Sequence, residues 1–98
     1  MGILQQKQQE QGASQIVLKT QELLAQAGLT PVTIAWDLGK LNTALEEHTL
    51  NVLVENGIVK EVFTARELEE CYTFLRPAVE ESLRRMIIRL QEQIGQSG

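Results

Sequence analysis

Cysteine, histidine, proline and aromatic residues are all scarce in this chain, and each scarcity closes off a class of protein. The one cysteine, Cys71, has no partner for an intrachain disulfide and no companions for a multi-cysteine zinc site. The staples of small secreted domains are therefore missing, and a reducing, cytoplasmic setting is expected. No apolar run approaches the roughly 20 residues of a membrane span. The opening residues lack the basic start and apolar centre of a signal peptide, and Gln6 stands where myristoylation needs Ser or Thr. No membrane contact is expected. There is also no glycine-rich phosphate loop, no nucleophile elbow and no HExxH pattern.

What the chain does have is aliphatic: 43% of its 98 residues are hydrophobic but only 4% aromatic, with a formal net charge of −4. That is room for one core, because domains cluster at roughly 100 to 150 residues. The margin at this size is thin, and burial shared with a second subunit is a natural remedy. A homo-oligomer is therefore expected.

Residues 1–12 hold five glutamines and offer only Ile3 and Leu4 besides Met1 for burial, which reads as a Gln-rich flexible arm preceding a single helical domain over residues 13–98. From Ala13 to Ala27, Ile16, Val17, Leu23, Leu24 and Ala27 fall near helical spacing, with Gly28 placed to close the helix and Leu29 to fold back on it. The stretch Leu29–Trp36 supports two readings. Thr30 and Pro31 suit a helix start, whereas Val32, Thr33 and Ile34 are β-branched and favour an extended segment that hands over to a helix capped at Asp37; the helix from Thr30 is preferred. Ile34, Leu38, Leu41, Leu45, His48 and Val52 then step by three or four, predicting an amphipathic helix to about Glu55 that ends at Asn56-Gly57. Ile58–Phe63 reads as a connector, since one lone strand would have no partner.

Thr64-Ala65-Arg66-Glu67 has the form of a capping box and predicts a helix start. Beyond it Leu68, Tyr72, Leu75, Val79, Leu83, Met86, Leu90 and Ile94 keep the helical period to the end of the chain. Pro77 lies inside this run and predicts a kink or a split near Arg76. The expected fold class is therefore all-α, a three- or four-helix bundle with a long, Pro-kinked or split C-terminal region.

Charge is unevenly distributed. Residues 1–40 carry three basic and three acidic groups, residues 41–81 three and nine, and residues 82–98 three and one. Arg84, Arg85 and Arg89 form a candidate set of charged contacts, and an alternative reading makes the chain a nucleic-acid-binding regulator. Glu67, Glu69 and Glu70 on the helix after Thr64 would repel phosphate, which disfavours nucleic acid as a partner.

No enzyme is expected, and no catalytic residue, metal or cofactor is assigned. His48 lies on a face otherwise made of Leu41, Leu45 and Val52, a setting for a core-edge histidine with one satisfied nitrogen. Cys71 adjoins the Leu68, Tyr72 and Leu75 row, where a thiol behaves as a small hydrophobe. The carboxylate pairs Glu46-Glu47, Glu69-Glu70 and Glu80-Glu81 splay about 100° apart on a helix and share no site. The remaining reading is a protein–protein interaction or structural module that self-associates, or meets another protein, through its C-terminal helix. Leu83, Met86, Ile87, Leu90 and Ile94 are the candidate contact surface, a row broader than one neighbouring helix need cover.

Overall fold

Three antiparallel strands separate the first helix from the others. In this computed structural model, which describes residues 3–97, the chain runs through α1 (Ile3–Gln26), β1 (Pro31–Trp36), β2 (Glu47–Val54), β3 (Gly57–Thr64), α2 (Ala65–Glu70) and α3 (Pro77–Ser97). The strands form one sheet in the order β1-β2-β3. The fold is mixed α/β, and the expectation of an all-α, three- or four-helix bundle is overturned.

The error has an arithmetic source. A step of four residues keeps side chains on one face of a helix, and, being even, on one face of a strand as well. His48 and Val52 therefore fit both periods. The residues between and beyond them decide, because Leu50 and Val54 are buried with them, while Glu47 and Leu53 are exposed. That is an alternation of period two. Leu41 and Leu45 lie in the 37–46 loop instead of on a helix. Val54 pairs with Gly57, so Glu55 and Asn56 make the turn of a hairpin and Asn56-Gly57 does not end a helix. Ile58–Phe63 belongs to β3, and its partner is the segment that the helical period had claimed.

In β1 the extended preference of Val32, Thr33 and Ile34 prevails over a helix started at Pro31. Thr33 pairs with Leu53 and Trp36 with Leu50, and the register shifts by one residue at Val32, a β-bulge.

The helices follow local signals more closely. Residues 3–12 form the first part of α1, with Gln9 and Gly12 buried. At Gly12 this helix crosses α2 so closely that a Cβ would lie 1.7 Å from the Leu68 carbonyl oxygen, leaving room for hydrogen alone. α1 closes with Gly28 at φ 74° and the Leu29 N–H on the Leu24 carbonyl at 2.8 Å, a Schellman ending. Thr64 caps α2: its Oγ1 accepts from the Glu67 N–H at 3.1 Å, and the Glu67 carboxylate accepts from the Thr64 N–H at 2.8 Å. The C-terminal region divides over residues 71–76, and Pro77 opens α3 where its missing N–H removes no helical bond.

All three helices lie against one face of the sheet. Trp36, His48, Leu50, Val52, Val54, Val59 and Phe63 from that face meet Ile16 and Leu24 of α1, Leu68 of α2 and Leu83, Met86 and Leu90 of α3 in the core. The shortest dimension, 16 Å, is that of two layers.

Candidate functional site

The row expected to form the contact surface faces inward. Leu83, Met86, Ile87 and Leu90 are buried in the chain's own core, and Ile94 is half-buried against it; only the neighbouring Ile88 is exposed. The arginines beside the row do not converge. Arg84 pairs with Glu80 at 3.0 Å, and this bond holds the Glu80 carboxyl below its ordinary range. Arg89 pairs with Glu61 and donates to the Lys60 carbonyl at 3.3 Å. Arg85 and Arg89 border a groove with Glu61 and Glu92, while Arg84 borders a different one with Gln26 and Ile87.

The one histidine sits in a tight polar cluster under the sheet. His48 is fully buried, its Nδ1 3.2 Å from Asp37 Oδ2, its ring edge-on to Trp36. Asp37 holds the start of the 37–46 loop in the left-handed region, at φ 53°. Its carboxylate also accepts from the Asn42 N–H at 2.9 Å and the Thr49 N–H at 3.1 Å, and the Asn51 side-chain amide donates to its carbonyl at 3.0 Å. Burial pushes the Asp37 carboxyl up, but these donors together with His48 outweigh it and leave the group below its ordinary range. The arrangement fastens a loop. Among the described residues His48 Nε2 and the Trp36 indole nitrogen find no hydrogen-bond partner, and both are shut off from solvent. Cys71 is likewise buried, and burial pushes its thiol up, away from the reactive thiolate. Among the described residues no group of three His, Cys, Asp or Glu side chains could hold a metal ion, and no helix is long and apolar enough to cross a membrane.

The sheet itself is uncovered on its far face and over parts of its two edges. On the far face Leu53 pairs with Ile58, Asn51 with Lys60 and Thr49 with Val62. Leu53 is 38% exposed, Ile58 49% and Val62 52%, and Val32 in the bulge reaches 64%. The edges differ from each other. Along β3 the Ile58 N–H donates to Gln93 Oε1 at 3.0 Å, and the Lys60 carbonyl accepts from Arg89, so two side chains of α3 hook over that edge. Along β1 the Asp37 N–H donates to the Thr49 carbonyl at 2.8 Å, which sets the parity of the ladder: Ala35 and Thr33 point to β2, Ile34 and Trp36 away from it. The Trp36 carbonyl takes the Gly39 N–H at 3.0 Å. Among the described residues nothing reaches the outward N–H and C=O of Ile34.

The residues that matter here, Val32, Ile34, Leu53, Ile58 and Val62, carried a signal that the helical period masked. Asn56-Gly57 stands between two short apolar runs, a hairpin signature, and once β2 and β3 pair, the β-branched run at Val32–Ile34 has a sheet to join. No known protein family, no curated protein and no solved structure matches this chain.

Proposed function

We propose that this chain is a protein–protein interaction module that associates with copies of itself, using its sheet in place of the C-terminal helix. One-sided cover carries the reading. With every helix on one face, the other face leaves Leu53, Ile58 and Val62 in water, with Val32 at the bulge beside them. Bare apolar sheet surface and unguarded strand edges are where chains associate. The small size of the core supports the same reading, since shared burial adds stability that a chain of this length has little of.

Nucleic-acid binding is supported less. Arg84 and Arg89 are already engaged by Glu80 and Glu61, and the net charge of −4 opposes phosphate. The reading gives no catalytic role to His48 or Cys71, both of which are closed to solvent. Light scattering across a concentration series reaching tens of micromolar tests it. The expected mass exceeds the 11.0 kDa of one chain, and a single-chain mass throughout would overturn self-association.

A further inference from the structure

We infer that the outer edge of β1 is a self-pairing seam, along which two copies join antiparallel about Ile34 to make one continuous six-stranded sheet. This rests on the reading of self-association and assigns it to the edge of the sheet, not to its far face.

The contrast between the edges comes first. On β3 Gln93 takes the Ile58 N–H and Arg89 the Lys60 carbonyl, and Lys60 puts a charge on that edge, whereas among the described residues no hydrogen bond reaches the outward Ile34 N–H and C=O or Trp36 N–H of β1. An edge strand ordinarily deters other strands with charge, lysine above all. Pro31-Val32-Thr33-Ile34-Ala35-Trp36 carries none. The open length is short and stopped at both ends. Pro31 has no N–H and is followed by the bulge, and at the other end Asp37 turns the chain away through its left-handed φ. A long strand would overrun both stops. A second copy of β1 is equally short and diverges in the same way, and antiparallel pairing about Ile34 lets the two Ile34 residues exchange both N–H···O=C bonds across a twofold axis.

Charge points to the same partner. Copies with a net charge of −4 repel one another, and least where they meet through neutral surface. The first 40 residues, which make α1, β1 and the start of the 37–46 loop, balance Lys7, Lys19 and Lys40 against Glu10, Glu22 and Asp37, whereas residues 41–81 carry nine acidic groups against three basic ones. Beside the seam α1 adds apolar surface: Val17 and Leu18 line a groove of about 480 Å³ with Trp36 and Leu41. The hooks together with the charge of Lys60 on β3 disfavour growth beyond two copies.

Amide hydrogen exchange and light scattering on the whole chain, over one concentration series, test the seam. In the pair the Ile34 amide is expected to exchange at least tenfold more slowly than on dilution, in step with the mass. The Thr33 amide, bonded to β2, is expected to stay slow throughout. Ile34→Pro removes the outward N–H at an edge position that tolerates proline, and is expected to give a single-chain mass with unchanged helix and strand content. A double mass with a concentration-independent, rapid Ile34 amide would overturn the seam while leaving self-association standing. A single-chain mass at every concentration would overturn both. The exchange measurement uses the unaltered chain, so it decides even where Ile34→Pro fails to fold.

Discussion

Asp37 joins the strand β1 to the 37–46 loop and to the start of β2 through one carboxylate, which accepts from Asn42, Thr49 and His48. Hydrogen bonds to a half-buried charge are worth more than neutral ones, and losing them is expected to cost about 1–3 kcal/mol. Because the folded group lies below its ordinary value of 3.8, its contribution is complete above the unfolded value and lost as pH falls through the folded one. Asp37→Asn keeps a residue tolerant of the left-handed region but removes the charge. Its urea midpoint is expected to lie below that of the unaltered chain at neutral pH, and the gap to narrow in acid. A constant gap would mean that the charge contributes nothing. In the sequence Asp37 was readable as the cap of a helix following an extended Val32–Ile34, and its true role was hidden because its partners Thr49 and His48 lie on the following strand.

At the level of elements, what could be read was what is local. The Thr64 capping box and the helical row from Val79 to Leu90 involve neighbours within a turn or two, and both are present. β2 is not local, since its identity depends on β1 and β3, and its even-spaced His48 and Val52 served a helix equally well. The candidate contact row was legible as a buried face for the same reason that its use was illegible: periodicity marks which side chains leave water, not whose atoms cover them. Adjacent substitutions separate the two periods. Val52→Asp places a carboxylate in the core and is expected to abolish cooperative folding, a loss of about 4 kcal/mol or more. Leu53→Asp points to the far face and is expected to shift stability by less than about 1 kcal/mol. Thermal melts followed by circular dichroism distinguish them; on a helix Val52 would lie on the apolar stripe and Leu53 beside it.

For the whole molecule, the uneven charge makes ionic strength informative. Acidic copies meeting through a neutral seam repel at long range, and salt near physiological strength screens charges beyond roughly 8–10 Å. Added salt is therefore expected to tighten self-association, seen in sedimentation equilibrium as a higher mass at fixed concentration. Phosphate binding by the arginines would weaken over the same range.

The two hooks from the last helix also decide what kind of assembly this chain avoids. A version lacking both Arg89 and Gln93 would show a bare border on each side of its sheet. Each molecule could then recruit a neighbour at either end, head to tail, and no symmetry would bring the growth to a stop. On the proposed seam, two side chains on a terminal helix would thus help to keep a pair from growing into a fibre.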